Sequence, residues 1–223
     1  MPAKTRPRCV VLGGGGHARV LIDCLLEANE ATPVAVVDVD RSVWGTQIYG
    51  VEIVGGDDQL AVLRRRGITK FVVGLGGTRD NGPRRRLFER AIAAGFQPIV
   101  VRHPSAVCSR WAEIGAGSVL YPHSVVNAGV KLGLNVIVNS GAIVEHDCVI
   151  GDHAHLAPGA VVNGAVVVGE MAHVGAGSVI KQGLRIGEAA VVGAGATVVS
   201  DVAPGTVVVG ERAGVYVPEE VTG

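Results

Sequence analysis

From residue 114 to residue 198, an aliphatic side chain occupies every sixth position without interruption. These positions are Ile114, Leu120, Val126, Leu132, Val138, Val144, Ile150, Leu156, Val162, Val168, Val174, Ile180, Ile186, Val192 and Val198. A fixed period is the signature of a repeat protein, and a six-residue period predicts a parallel β-helix. In most repeats the residue two positions before the aliphatic one is small. Both side chains should point into the core, because residues two apart share one face of a strand.

The two positions after each short strand must form a turn. Glycine often fills the second of them, as at Gly141, Gly159 and Gly177, which is typical of turn positions with a positive φ. Three six-residue sides close one triangular coil, so residues 18 positions apart should stack on each other. An antiparallel sandwich is the alternative, but its loops would break a register that this series never loses.

The first hundred residues follow a different pattern, in which apolar runs alternate with helical stretches. We predict strands at 9–12, 34–37 and 71–73, and helices at 18–28, 58–66 and 84–94. Such alternation is typical of a small parallel, Rossmann-like sheet. The chain is therefore divided into an α/β domain at 1–103, a β-helix domain at 104–204 and a C-terminal tail at 205–223.

Composition narrows the classes of partner. Twenty basic and 20 acidic residues cancel, and nothing indicates a nucleic-acid surface. The chain has no apolar run of membrane-spanning length and no signal-peptide core, so we expect a cytoplasmic protein without a membrane partner. The four cysteines lack metal or disulfide spacing, and Cys148 is expected to be a buried core thiol. The arginine triplets at 64–66 and 84–86 are interpreted as solvated helix faces.

A glycine loop, residues 13–16, separates the first predicted strand from the first helix. Such a loop turns backbone N–H groups and a helix N-terminus toward a phosphate. Asp38 ends the next strand, where a carboxylate can accept hydrogen bonds from hydroxyl or base N–H groups. The residues themselves leave three alternatives open: a nicotinamide cofactor, a nucleotide-sugar substrate or only a tight turn.

The most specific motif is the segment 139–151, which contains Glu145, His146 and Asp147. In the six-residue register, His146 and Asp147 occupy the two corner positions, where a side chain points away from the core. A neighbouring carboxylate orients an imidazole and strengthens it as a general base. Asp147 is the first choice for this role and Glu145 the second. A solvated surface histidine is the alternative.

His155 precedes the inward Leu156 and should therefore face outward. His173 follows 18 residues later in the same column, ~4.8 Å higher along the axis. The other members of this column are Val119, Ile137 and Val191, which indicates a covered face and favours a packing role for His173. His146 and His155 are nine residues apart, half a coil, and should lie on opposite sides of the prism. If both serve one reaction, the site is shared between subunits, and three similar sides favour a cyclic trimer.

The order of the two domains, together with the glycine loop, Asp38 and the loop at 74–77, resembles the bacterial hexapeptide-repeat sugar acetyltransferases of the sialic-acid and bacillosamine type. The resemblance implies a left-handed β-helix, a homotrimer and N-acetylation of a nucleotide-linked amino sugar by acetyl-CoA, with His146 as general base. The residues assigned to acetyl-CoA are His155, Gly164, Gly175, Ala176, Gly193 and Ala194. The residues assigned to the nucleotide sugar are Gly14, Gly15, Gly16, His17, Asp38, Gly76, Gly77 and Asn139.

Several alternatives stay open at this stage. A sialic-acid O-acetyltransferase has the same layout, and neither the sugar nor the nucleotide base can be read from the sequence. A non-catalytic binding scaffold and a dehydrogenase that uses the glycine loop are more remote. Zinc carbonic anhydrases share the prism but need three convergent histidines, a spacing that is absent, so we expect no metal. The tail at 208–213 departs from the family pattern.

Overall fold

A computed structural model describes residues 6–77 and 79–210. The elements of the α/β domain are β1 (Arg8–Leu12), α1 (Gly16–Ala28), β2 (Thr32–Val37), a 3-10 turn (Arg41–Val43), β3 (Gln47–Ile48), β4 (Val51–Gly55), α2 (Gln59–Arg65), β5 (Lys70–Val73), α3 (Gly82–Ala93) and β6 (Gln97–Pro98). The sheet order is β3-β4-β2-β1-β5-β6. All pairs are parallel except β3–β4. The three predicted strands and three predicted helices are confirmed, and the short β3–β4 hairpin was missed.

The remaining strands form a three-sided parallel β-helix. The first side, here called the covered face, contains β7 (Val101–Arg102), β10 (Val119–Leu120), β13 (Ile137–Val138), β16 (His155–Leu156), β19 (His173–Val174), β22 (Val191–Val192) and β24 (Val207–Val208). The second side, the apolar face, contains β8 (Val107–Cys108), β11 (Val125–Val126), β14 (Ile143–Val144), β17 (Val161–Val162), β20 (Val179–Ile180) and β23 (Thr197–Val198). The third side contains β9 (Glu113–Ile114), β12 (Lys131–Leu132), β15 (Val149–Ile150), β18 (Val167–Val168) and β21 (Arg185–Ile186).

The strand pairing confirms the 18-residue coil. Val119 pairs with Ile137, and His155 pairs with His173. The β-helix extends past both ends of the aliphatic series. It begins at β7, ahead of the boundary predicted at residue 104, and β24 lies inside the segment assigned to the tail. In the last coil Val191 pairs with Val207, two residues earlier than the period requires, which explains why the series stops at Val198.

The core of the β-helix consists of the aliphatic series and the small residues two positions before it. Ala142, Cys148 and Ala154 are fully buried, as are Val144 and Leu156, so the predicted inward facing is confirmed. This narrow core excludes water from small and branched side chains, which is the main favourable term in folding.

Each corner of the prism needs one residue with a positive φ. Glycine supplies it at many corners, for example Gly141 with φ 66° and Gly159 with φ 67°. Asp147 adopts φ 60° at the equivalent position without this freedom. A non-glycine residue in the left-handed region is uncommon, although asparagine and aspartate tolerate it best. Other non-glycine residues adopt the same conformation at their corners, for example Ala165 and Met171, so it belongs to the corner and not to Asp147 in particular.

The covered face is covered by the chain's own α/β domain. Val101, Val119 and Ile137 on its lower coils belong to one buried cluster with residues of α1, and Tyr121 is fully enclosed there. Above these three residues the column continues with His155 and His173. The upper part of the face therefore borders the gap between the two domains.

Candidate active site

A cavity of about 700 Å³ lies between the α/β domain and the upper coils of the covered face. The α/β domain contributes His17, Gly76, Gly77 and Arg79. The β-helix contributes Asn139, His155, Ala157, Pro158, His173, Gly175, Ala176, Val191, Val192, Gly193, Ala194, Val207 and Val209. This interdomain cavity thus brings together most residues that the sequence analysis assigned to acetyl-CoA with four that it assigned to the nucleotide sugar, namely His17, Gly76, Gly77 and Asn139.

The ring of His155 is held by a continuous chain of hydrogen bonds. The backbone N–H of Ser140 donates to Asn139 Oδ1 over 2.8 Å, which turns the amide nitrogen toward His155. Asn139 Nδ2 then donates to His155 Nε2 over 3.1 Å. Because Nε2 must accept, the proton lies on Nδ1, which donates to the Gly77 carbonyl over 2.6 Å. His155 is therefore a neutral ring with one defined tautomer that links the two domains.

Burial keeps the histidines of the cavity uncharged. Desolvation, together with the neighbouring His173 and Arg84, lowers the pKa of His155 to about 3. Desolvation, with a smaller contribution from Arg84, lowers the pKa of His17 to about 4 and also lowers that of His173. His17 Nε2 shares a 2.8 Å hydrogen bond with the Tyr121 hydroxyl. Burial therefore disfavours the charged form of all three rings, which together form a neutral wall.

Arg84 lies outside the lining of the cavity but, in addition to burial, lowers the pKa of all three histidines, and the expectation of a solvated helix face was wrong for it. Only 1% of its surface is exposed. Its guanidinium donates to the carbonyls of Asn135 and His153, and to that of Ala154 over 3.1 Å. Burial lowers the pKa of Arg84 to about 9, so it stays charged at neutral pH. A buried cation that bonds backbone carbonyls anchors α3 on the corner of the β-helix.

Asn81 extends this anchor by one coil. Its Nδ2 donates to the carbonyls of Met171 and Ala172 over 3.0 and 3.2 Å. A Cβ placed on Gly77 would overlap Asn81 Oδ1, so the loop that accepts the His155 bond packs directly against Asn81. Sequence reasoning missed Asn81 and Arg84, because their partners are main-chain carbonyls at least 51 residues away.

Asp38 bonds the backbone of the glycine loop and its own turn, whereas it was expected from the sequence to bind the nucleotide. Asp38 Oδ2 accepts the Gly14 N–H over 2.5 Å, and Oδ1 accepts the Asp40 N–H over 2.8 Å. The carboxylate therefore holds the loop in place, and both of its oxygens are engaged. Gly15 and Gly16 border open space, since a Cβ built on either would meet no atom within 4 Å. Their backbone, at the start of α1, is the accessible part of the loop.

His146 lies at a corner between the apolar face and the third side, and its side chain is 64% exposed. Its Nδ1 forms a 2.9 Å hydrogen bond with Asp147 Oδ2. Asp147 was the first choice in the sequence analysis for the carboxylate that orients this ring. Glu145 instead accepts a 2.9 Å bond from Asn127 Nδ2, one coil below. Asp147 is therefore the partner of His146, and the oriented ring has Nε2 available on its other side.

Gly164 lies beside His146, apart from the other residues assigned to acetyl-CoA. A Cβ on Gly164 would come within 2.6 Å of His146 Nε2. The two residues border a corner cleft of about 320 Å³ together with Ala165, Gln182 and Gly183. This corner cleft shares no lining residue with the interdomain cavity. Within one chain, His146 and His155 thus lie on opposite sides of the prism, as their nine-residue separation predicts.

The small residues of the cavity wall fit a long, thin ligand. A Cβ on Gly175 would come within 2.5 Å of the Val192 carbonyl in the coil above, so that position must stay open. Ala176 and Ala194 are exposed toward the cavity, and their methyl groups let a ligand approach the backbone. The pantetheine arm of acetyl-CoA, an extended chain with amide groups, has the dimensions and chemistry for such a wall.

Comparisons with known proteins agree with this geometry. Residues 8–91 match the sequence profile of the PglD N-terminal domain, and residues 129–164 match the bacterial transferase hexapeptide profile. A search of curated protein sequences gave no significant match.

Among solved structures, a histidine-to-asparagine mutant of perosamine N-acetyltransferase from Caulobacter crescentus, in complex with CoA and GDP-perosamine, is 36% identical with a TM-score of 0.84, over 91% of this chain and 93% of that one. The acetyltransferase domain of PglB from Neisseria gonorrhoeae, in complex with acetyl coenzyme A, is 33% identical with a TM-score of 0.83, over 92% and 97%. WeeI from Acinetobacter baumannii is 28% identical with a TM-score of 0.76, over 91% and 96%.

The chain belongs to the hexapeptide-repeat sugar acetyltransferases with a PglD-type N-terminal domain. Membership confirms the predicted fold class, a Rossmann-like α/β domain followed by a left-handed parallel β-helix. It also confirms that the protein is an acyltransferase. CoA is bound in the perosamine N-acetyltransferase structure and acetyl-CoA in the PglB structure.

Two further observations concern possible metal sites and membrane-spanning helices in the described residues. Among residues 6–77 and 79–210, no cluster of three or more histidine, cysteine or acidic side chains has a geometry that could hold a metal ion. None of the helices in the same ranges is long and apolar enough to cross a membrane. Of the atypical segment at 208–213, residues 211–213 lie outside the described residues.

Proposed function

We propose that the protein transfers an acetyl group from acetyl-CoA to the amino group of a nucleotide-linked amino-deoxy sugar. The interdomain cavity carries this proposal, because residues of the glycine-loop domain and small residues of the upper coils line one continuous space. The solved relatives with CoA and GDP-perosamine support the same pairing of substrates. Since acetyl-CoA is a metabolite of the cell interior, we also place the reaction in the cytoplasm.

The active unit in this proposal is a homotrimer. The outward column of the apolar face contains Val107, Val125, Ile143, Val161 and Val179. In a monomer this apolar stripe would face water, which is unfavourable. Packing such a stripe against a neighbouring prism would bring His146 of one chain to the cavity of another. A closed ring of three chains then has three equivalent sites.

The proposed chemistry is direct transfer within a ternary complex. The nucleotide binds at the open backbone of Gly15 and Gly16, and the amino sugar extends toward the cavity. His146, oriented by Asp147, takes the proton from the amine through Nε2 as the nitrogen attacks the thioester carbon. A C–N bond forms and the C–S bond breaks. His146 then passes its proton to the sulfur, so that coenzyme A leaves as the thiol and the ring returns to its neutral form. No covalent enzyme intermediate is required.

A thiol-release assay tests the reaction class. Acetyl-CoA is combined with UDP-, GDP- and dTDP-linked amino sugars and with free sialic acid. Thiol release with an amino sugar and none with sialic acid supports N-acetylation. Release with sialic acid alone would identify an O-acetyltransferase. A protein that binds no CoA in calorimetry would be a binding scaffold and not an enzyme of this class.

Subunit mixing tests the shared site. His146→Ala removes the base, and Ala176→Trp fills the interdomain cavity, so each variant alone should be inactive. If one site uses His146 from one chain and the cavity of another, trimers assembled from both variants regain part of the activity. Inactive mixed trimers, verified by differently tagged subunits, would place the whole site in one chain.

A further inference from the structure

Two buried histidines stand one above the other in the wall of the interdomain cavity. His155 and His173 pair directly in neighbouring coils, and their ring centroids are 5.0 Å apart in an edge-to-face arrangement. Both are almost equally enclosed, with 5% and 6% of their surface exposed. Their hydrogen bonding nevertheless differs completely, and that difference separates their roles.

His155 has no ring nitrogen left for a ligand. Nε2 accepts from Asn139, and Nδ1–H donates to the Gly77 carbonyl. A ligand could bond to this ring only after one of these contacts had broken. Such a break would strand a buried amide or carbonyl group, which is costly. His155 therefore shapes the wall of the cavity and joins the two domains.

His173 has both ring nitrogens unengaged by the described residues. Its Nδ1 is fully buried without a hydrogen-bond partner. A buried N–H without an acceptor is rarer in proteins than an under-used acceptor, so the proton belongs on Nε2 and Nδ1 keeps its lone pair. Because Nδ1 lies on the enclosed side of a ring that lines the cavity, Nε2–H is the nitrogen at the cavity surface. Burial lowers the pKa of His173, which keeps this ring a neutral donor.

The surroundings of His173 indicate what this donor meets. Below it lie the polar groups of His155 and Asn139, and above it the wall becomes apolar and small at Val191 and Gly193. A ligand that matches this lining has an aliphatic part beside Val191 and Gly193, and it presents an acceptor oxygen at the level of His173. The acyl donor has this character, because a thioester carbonyl and two amide carbonyls interrupt its pantetheine arm.

We propose that His173 binds the acyl donor, with Nε2–H donating to one of its carbonyl oxygens. This inference rests on the proposed function and specifies a contact within it. A neutral hydrogen bond of this kind contributes about three- to tenfold in affinity. His173 is then a substrate-binding residue that acts beside His155, which lines the same cavity one coil below.

The test compares His173→Phe, which keeps an aromatic ring against His155, with His173→Gln, which restores an N–H donor. Calorimetry measures the Kd of CoA and of acetyl-CoA, and steady-state kinetics measures kcat and the KM of the amino sugar. We expect His173→Phe to weaken acetyl-CoA binding or lower kcat by about three- to tenfold, and His173→Gln to recover part of the loss. An equal loss for CoA places the contact at a pantetheine amide, and a loss confined to acetyl-CoA places it at the thioester.

The inference is overturned if His173→Phe binds both ligands within twofold of the wild type and has an unchanged kcat. It is also overturned if only the KM of the amino sugar changes. Circular dichroism and melting curves show whether the variants are folded. If His173→Gln is folded but binds acetyl-CoA as weakly as His173→Phe, His173 has a packing role and the inference is overturned as well. A wild-type protein that binds no CoA would instead refute the proposed function itself.

Discussion

The histidines at the corner cleft and at the interdomain cavity differ in every physical respect that matters for proton transfer. His146 is 64% exposed and shares a hydrogen bond with a carboxylate. His155 and His173 are about 5% exposed, and their charged forms are disfavoured by burial and by the cation of Arg84. The comparison teaches that one residue type serves two purposes here. An exposed ring with an acidic partner is oriented for proton transfer, whereas a buried ring whose charged form is disfavoured is better suited to orienting and binding a ligand.

The largest expected effect, and the strongest test of this difference between the histidines, is at His146. Removing a general base typically costs 10²–10⁴-fold in rate, so we expect His146→Ala to lower kcat by about that factor. The fold should not change, because the side chain is exposed at a corner. His123→Ala, at an exposed corner outside both cavities, is the matched control. Initial rates at saturating acetyl-CoA provide the measurement, and an unchanged kcat would remove His146 from the mechanism.

The second prediction concerns Arg84, the buried cation near His155 and His173. Arg84→Ala leaves the carbonyls of Asn135 and His153 without their donor and opens a void beneath α3. We expect the free energy of unfolding to fall by about 3 kcal/mol, the usual size for a lost buried charged contact. Urea unfolding measures it. Arg86→Ala, on the exposed side of the same helix, should change stability by less than about 0.5 kcal/mol. Equal effects would contradict the role of Arg84 as an anchor.

Arg84 also marks the limit of what the sequence could predict. The aliphatic series predicted the prism, its coil length and the opposite placement of His146 and His155, because all three follow from one period along the chain. The anchor follows from how the two domains dock. A run of three arginines carries no information about which of them will meet carbonyls at positions 135, 153 and 154. The tautomer of His155 was beyond reach for the same reason, since it depends on Gly77.

A third prediction uses the low pKa of His155, about 3 in the folded protein against about 6.5 in an unfolded chain. Between these values the unfolded state binds the extra proton. Stability is therefore complete above about pH 6.5 and falls as the pH decreases toward 3. His155 alone should contribute a slope of about 1.4 kcal/mol per pH unit in this range. Urea unfolding of the wild type and of His155→Gln at pH 6, 5 and 4 measures the difference in slope.

The expected result is a shallower pH dependence for His155→Gln, by roughly 1 kcal/mol per pH unit. His123→Gln is the control for the loss of an exposed histidine. Parallel stability curves for the wild type and His155→Gln would mean that the ring is not held neutral by its surroundings, and the contrast between the two groups of histidines would lose its electrostatic basis.

The smallest predicted effect separates the two acidic neighbours of His146. Asp147 bonds Nδ1 of the ring, whereas Glu145 bonds Asn127 in the coil below. Asp147→Asn keeps the size of the side chain but weakens a contact that lies in solvent, so we expect kcat to fall only about two- to fivefold, the range for an exposed interaction of 0.5–1 kcal/mol. Glu145→Gln should leave kcat unchanged. The kcat values of both variants at one pH decide the matter, and the reverse order of effects would make Glu145 the residue that orients the base.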